Sequence, residues 1–319
     1  MARPFKRDIN FLKHRRIFFV ISTILIIVSV VTFFTRGLNY GIEFVGGTSI
    51  DFKNTGDLTI DQMRSACERE GLTGAIIQTT VDTRTGTPGF IVRIAETEAY
   101  VASAHADRIA ADLGFSSMDV EVTTVGPGWG AEVTRTSLIA FVVALALIII
   151  YLAIRFEYKM GLVAVLKVVH DLIIVIGIYA IVGREVTPNV IAALLTIMGY
   201  SLYDTVVVFH RINDNMSATA RHSFMTVANY SINQVLMRTI NTTLSTLIPV
   251  AAMLFFGGET LKDFAFAMMI GLVLGSSSSI TLASPLYALW KQREPKFKKL
   301  AKKYGEGLDE FTVAELLTE

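Results

Sequence analysis

The chain has 319 residues, 52% of them hydrophobic and only 18% charged, with a mean hydropathy of +0.51, a charge content well under the roughly 25% of ordinary globular domains. That composition is a membrane protein's, and a formal net charge of +1 gives no electrostatic footprint for nucleic acid. The single cysteine, Cys67, excludes an intrachain disulfide and a cysteine-rich metal site.

Taken in chain order, residues 1–16 (MARPFKRDINFLKHRR) carry six Lys/Arg and read as a basic cytoplasmic N-terminus. A first transmembrane helix is predicted at 17–35. Its position after a basic stretch also fits a secretory signal, but FFTRGLNYG offers no small-residue cleavage site, so an uncleaved anchor is expected. Residues 37–134 form the one large polar segment and fall on the outer side of the membrane.

Two helices are predicted within that segment. TIDQMRSACEREG opens with a capping box, Thr59 and Gln62, buries Ile60, Met63 and Cys67, and stops at Gly71; TEAYVASAHADRIAADLG stops at Gly114. IEFVGGTSIDFK, AIIQTTVD, GFIVRIA and MDVEVTTV read as strands, giving the order β-α-β-β-α-β of a ferredoxin-like α+β domain. FVGGT lacks the lysine and following helix of a phosphate loop and is read as a bulge or close backbone approach. No catalytic signature is present, so no enzyme activity is expected.

Five further crossings are predicted at 135–154, 161–182, 188–210, 235–257 and 263–290, which makes a membrane α-helical fold of six transmembrane helices. A cytoplasmic loop is expected near 211–234 and a basic cytoplasmic tail at 291–319, whose KFKKLAKKY stretch suits lipid headgroups or another protein.

Polar groups inside these spans are expensive, roughly 2.5–3.5 kcal/mol for each charge at the bilayer centre. Lys167, His170 and Asp171 share one face of the third span, and Ser201, Asp204 and Thr205 one face of the fourth. Gln234, Arg238, Asn241, Thr242 and Ser245 draw a stripe along the fifth. At about 1.5 Å per residue, Asp204 lies about 9 Å deep and Arg238 about 5 Å, so the two can meet. Two readings follow: a carboxylate whose protonation tracks its distance from a guanidinium, or a fixed ion pair that orients two helices. A fixed pair is also a reading for Lys167 with Asp171, and His170 beside one Asp is no metal shell. Gly271, Gly275 and Ser279 form a small-residue face, and Pro249 invites a kink.

RGLNYGIEFVGGT after the first span, VGP at 125–127, HD at 170–171, GYSLYDTVVVFHRINDN and LMRTINTTLSTL together resemble the SecF family of the bacterial SecD–SecF protein-export complex, within the resistance–nodulation–division (RND) superfamily. The motif residues are Gly46, Gly47, Thr48, Gly126, Pro127 and Gly199. The resemblance implies a multi-pass protein of the bacterial inner membrane with both termini cytoplasmic. It would work with SecD beside the SecYEG channel, after SecA has driven the polypeptide through, and use the proton motive force to aid release of the translocating polypeptide. It implies no cofactor beyond the proton as coupling ion, with Asp204 and Arg238 as the functional pair and His170, Asp171, Asn241 and Thr242 around them. Tyr203 replaces the family's usual Asn, Glu43 its usual Asp, and His210 and Asn213 residues commonly Asp and Arg; Lys167 is also unusual. Six spans and one external domain occur once, so a related six-span partner is expected to complete a two-half assembly. A non-transporting scaffold and a small-molecule exporter of the RND superfamily are the alternatives, the latter normally needing a larger external domain.

Overall fold

The computed structural model describes residues 9–53, 55–81, 86–114, 116, 119–218 and 222–304. Among these described residues six helices are long and apolar enough to cross a membrane. They are α1 (Arg15–Arg36), α5 (Pro127–Arg155), α6 (Tyr158–Val182), α7 (Pro188–Ala218), α8 (Phe224–Phe256) and the run α9 (Glu259–Ser278), a π turn (Ser279–Ala283) and α10 (Ser284–Gln292). A short basic helix, α11 (Pro295–Tyr304), follows. Helices α6, α7 and α9 form the interior of the bundle, whereas α1, α5 and α8 leave most of their surface exposed.

The remaining elements lie between α1 and α5, apart from β6. They are β1 (Asn39–Tyr40), α2 (Ile42–Val45), β2 (Gly47–Phe52), α3 (Ile60–Arg69), β3 (Ile76–Val81), β4 (Pro88–Ile94), α4 (Ala99–Leu113) and β5 (Val120–Val125). The sheet order β3-β4-β2-β5, antiparallel throughout, is the ferredoxin-like arrangement. Alternation puts Ile50, Phe52, Phe90 and Val92 on the face covered by α3 and α4, where they meet Met63, Cys67 and Ile109. Thr59 caps α3 through the reciprocal bonds with Gln62, and Gly114 ends α4 in the left-handed conformation. β1 pairs in parallel with β6 (Glu185–Val186), tying the exit of α1 to the α6–α7 connection.

Three expectations need correction. The first predicted strand starts only at Gly47, because Ile42–Val45 closes into a single helical turn whose carboxyl end packs on α5 at Gly130. Gly47 makes the close approach foreseen at FVGGT: its φ is +124°, and a Cβ there would lie 2.5 Å from the Ile94 carbonyl oxygen. Second, the second crossing begins earlier than its apolar core does, since α5 starts at Pro127 rather than 135. Third, most of the loop expected near 211–234 is helical, as α7 runs to Ala218 and α8 begins at Phe224. There the polar side chains bond across the two helices: Asn215 donates to Gln234 Oε1 at 2.9 Å and to Ser231 Oγ at 2.9 Å.

Candidate functional site: the polar interior of the helix bundle

The small-residue face of α9 lets the centre of the bundle close. Gly271, Gly275 and Ser279 stand against Ile197, Ser201 and Thr205 of α7, each set four residues apart. A Cβ on Gly275 would lie 3.1 Å from Ser201 Cβ. Backbones this close bring two carbonyls within reach of one side chain from α6. Lys167, 1% exposed, donates from Nζ to the Ser201 carbonyl at 2.9 Å, to the Gly275 carbonyl at 2.7 Å and to Ser201 Oγ.

Lys167 also pairs with Asp171 Oδ2 at 3.0 Å, one turn on along α6. The Asp171 carboxylate is fully buried and accepts from Ser201 Oγ at 2.7 Å and Ser278 Oγ at 3.0 Å. His170 Nδ1 lies 2.9 Å from Asp171 Oδ1 and its Nε2 lies 2.7 Å from Ser22 Oγ of α1. An ionised carboxylate only accepts, so Nδ1 is the donor in the bond to Asp171. The chain Ser22–His170–Asp171–Ser201 thus links four groups from α1, α6 and α7. Its Ser22 end opens on a cavity of about 280 Å³ lined by Phe19, Ser22, Val163, Lys167, His170 and Leu286.

Asp204 of α7 is 7% exposed and, among the described residues, has no hydrogen-bond or ion-pair partner; the charges acting on it are Lys167 and then Arg238. The predicted contact with Arg238 is therefore not made. Arg238 Nη2 donates instead to Tyr203 Oη at 2.6 Å, with its guanidinium 5.8 Å from that ring's centroid. The reason is helical phase: one residue is about 100° of turn, so Tyr203 points outward beside α8 while Asp204 points inward toward α6. Tyr203 thus serves Arg238, not the Asp204 carboxylate.

The stripe on α8 faces outward in this single chain. Arg238, Asn241 and Ser245 are exposed, and Thr242 bonds only to its own helix, at the Arg238 carbonyl. Gln234 leaves the stripe to accept from Asn215 and Arg211. The remaining motif residues are structural. Thr48 Oγ1 donates to the Glu96 carbonyl at 2.7 Å, Gly126 caps α5 with Pro127 as its first residue, and Gly46 ends α2, whereas Gly199 lies on the exposed side of α7. Among the described residues no three His, Cys, Asp or Glu side chains group to hold a metal ion.

Sequence reasoning missed Ser22 and Ser278, and took Lys167 for an anomaly rather than the hub. A signal existed in each case: Ser22 interrupts an apolar run, and four serines stand together at 276–279.

Fold and site define a membrane transport subunit, one six-helix half of an RND-type assembly with an α+β domain set between its first two crossings. Residues 106–293 match the family described as "Protein export membrane protein SecD/SecF, C-terminal", and residues 31–53 match the "SecD/SecF GG Motif". The chain belongs to this protein-export family, as a translocase subunit of the SecF type with an accessory role in Sec protein translocation. The SecF subunit of Streptomyces coelicolor is 36% identical over 302 residues, 92% of this chain and 80% of that one. That of Desulfurispirillum indicum is 37% identical over 310 residues, covering 93% and 97%. The crystal structure of the translocon-associated membrane protein SecDF from Thermus thermophilus superposes with a TM-score of 0.80 at 33% identity; it covers 90% of this chain, which spans 39% of that longer one.

Proposed function

We propose that the chain couples proton movement across the bacterial inner membrane to late steps of polypeptide export, acting with SecD beside SecYEG once SecA has driven the substrate through. The observation that carries this is Asp204: a buried carboxylate without a partner of its own, set between the buried cation Lys167 and the surface cation Arg238. An acid held this way changes its interaction with both cations when it gains or loses a proton. The hydrogen-bonded chain from Ser22 through His170 and Asp171 to Ser201 supplies a route for the proton next to it. One proton moving through about 100 mV gains about 2.3 kcal/mol, enough to bias a domain between two orientations.

The exposed Arg238, Asn241 and Ser245 favour SecD as the covering half, since such groups do not face hydrocarbon without a partner. The basic segments at both ends, Lys13–Arg16 and α11, support cytoplasmic termini and contact with lipid headgroups.

A fixed structural role is favoured for Lys167, whose ammonium is held by the Ser201 and Gly275 carbonyls and stays in place while Asp171 and Asp204 work beside it.

D204N and R238M, introduced separately, test the reading. Each is expected to assemble with SecD, to export poorly, and to lose its response to an imposed proton gradient. Export that still follows the gradient in both variants refutes it, and failure to assemble assigns the residues to the scaffold.

A further inference from the structure

The sheet order β3-β4-β2-β5 leaves two edges, and they are built differently. β5 carries a charge, Glu121, bonded to Lys53 at 2.6 Å. β3 reads Ile-Ile-Gln-Thr-Thr-Val, without charge or proline and rich in β-branched residues. Its register with β4 runs from Ile76 to Val81 without a bulge. Edge strands are commonly guarded by charge, proline or a bulge, because an open edge pairs with an extended chain. β3 has none of these guards.

One hydrogen bond fixes which groups of β3 point outward. Lys53 N–H donates to the Asp119 carbonyl at 2.7 Å, so in the β2–β5 ladder Ser49 and Asp51 also turn their peptide groups toward β5. Ile50 and Phe52 then turn theirs toward Val92 and Phe90 of β4, which leaves Ile91 and Arg93 to bond with Gln78 and Ile76 of β3. By the same alternation Ile77, Thr79 and Val81 direct N–H and C=O away from the sheet, where no other described strand pairs with them.

A cleft of about 520 Å³ runs along that rim. Its sheet wall includes four successive residues, Ile77, Gln78, Thr79 and Thr80. Successive side chains point to opposite faces, so the cleft follows the edge of the strand and not one face of the sheet. The other wall is the α6–α7 connection at 182–185, with Asp263. The charges there are already paired within the chain, Arg184 with Asp263 at 3.0 Å and Glu185 with Arg93.

We propose that the outer edge of β3 is a binding site for an extended stretch of polypeptide, which lies in this cleft and adds to the sheet as a fifth strand.

The dimensions and the chemistry choose that occupant. Four residues of β3 span about 14 Å at about 3.4 Å each. A volume of about 520 Å³ over that length has a cross-section of about 40 Å², half that of a helix about 10 Å wide, so the cleft takes an extended chain and no folded element. The groups it offers are main-chain N–H and C=O, whose complement every polypeptide carries whatever its sequence. With the wall charges paired, no sign of charge on the ligand is selected. Such a site holds many sequences weakly, which suits a chain leaving a translocase better than a partner subunit of one sequence. The inference deepens the export reading and rests on it for the ligand.

The test uses the full chain in nanodiscs, with no gradient, and two fluorescein-labelled twelve-residue peptides of unrelated sequence, one rich in Val and Thr, the other in Gln and Ala. Fluorescence anisotropy is expected to give dissociation constants within about threefold of each other, because the main chain is what is read. Methylating the six central backbone nitrogens keeps the side chains, removes the donors and is expected to weaken either peptide about tenfold or more. T79P removes an outward donor and blocks the rim while the bonds of Ile76 and Gln78 to β4 stay, and the same loss is expected. Methylated peptides that bind as tightly as the plain ones overturn the proposal, whether or not T79P folds. Loss of peptide binding on adding SecD makes the rim a subunit interface, and disulfide linking of T79C chains to one another, in a C67A background, makes it a contact between copies; either result also overturns it. Since no gradient is applied, this outcome is separate from the gradient response of export in D204N and R238M, and failure of one reading is distinguishable from failure of the other.

Discussion

Replacing Lys167 with methionine removes the cation at the bundle centre while nearly keeping its volume. Asp171 then keeps three donors, from His170, Ser201 and Ser278, but no countercharge, in a site with no exposure. Breaking a buried pair on one side costs about 3–5 kcal/mol, because a charge is left uncompensated. The carbonyls of Ser201 and Gly275 lose their donor as well, although each still has a helical partner available. K167M is therefore expected to lower the unfolding free energy of the full chain by about 3–5 kcal/mol. D171N on its own leaves the ammonium unpaired and falls in the same range, while K167M/D171N recovers most of the loss, since neither charge remains. A double-mutant cycle by reversible detergent titration, followed through Trp129 and Trp290 fluorescence, measures the coupling. A coupling near zero, or K167M within about 1 kcal/mol of the parent, refutes the assignment of this pair as the interior's electrostatic anchor.

Two further outcomes follow from the packing. G275L pushes α9 away from Ser201, whose Cβ leaves only 3.1 Å for a new Cβ, and is expected to cost at least about 1–3 kcal/mol in the same titration. It also pulls the Gly275 carbonyl off Lys167. In the external domain, burial pushes the Cys67 thiol from 9.0 up to about 11. A thiol raised in the folded state contributes stability that is intact below about 9 and lost as pH climbs through about 11. Thermal unfolding should show a fall over that window which C67A abolishes, and alkylation of native protein at pH 8 should proceed no faster than the domain unfolds.

Signals carried within a few residues were the legible ones. The Thr59–Gln62 box, the glycines at 71 and 114, and the alternation of Ile50, Phe52, Phe90 and Val92 each act through neighbours in sequence, and the ferredoxin-like domain follows from them. The one-turn helix Ile42–Val45 was not legible because a run as short as Ile-Glu-Phe-Val looks the same in a turn as in a strand; contact with α5 decides it. Hydropathy failed at 211–234 for a different reason. It measures where hydrocarbon ends, and α7 and α8 continue beyond that by satisfying Asn215, Ser231 and Gln234 against each other.

The site divides along the same line. Spacings of three and four residues put Lys167, His170 and Asp171 on one face, and the structure brings them into one network. The Asp204–Arg238 contact depended on depth alone, and depth omits rotation about the helix axis. A one-residue offset gives Arg238 to Tyr203, 51% exposed, and leaves Asp204 inside.

Helix α7 connects the interior of the bundle mechanically to the entry of the external domain. Asp204 stands sixteen residues beyond Pro188, about 24 Å along one uninterrupted helix, and Glu185 lies just before that helix begins. Packing of α7 against α9 through Gly271, Gly275 and Ser279 leaves no slack for side chains to absorb a movement, so a shift of α7 at Asp204 reaches the backbone at 185–187. β1 pairs with that same backbone at Asn39 and Tyr40, which lead into the domain. A displacement of α7 near Asp204 is therefore passed to the two residues that hold β1, Glu185 and Val186, at the far end of the same rod. The interior and the external domain need no direct contact to be linked, only that α7 move as a unit.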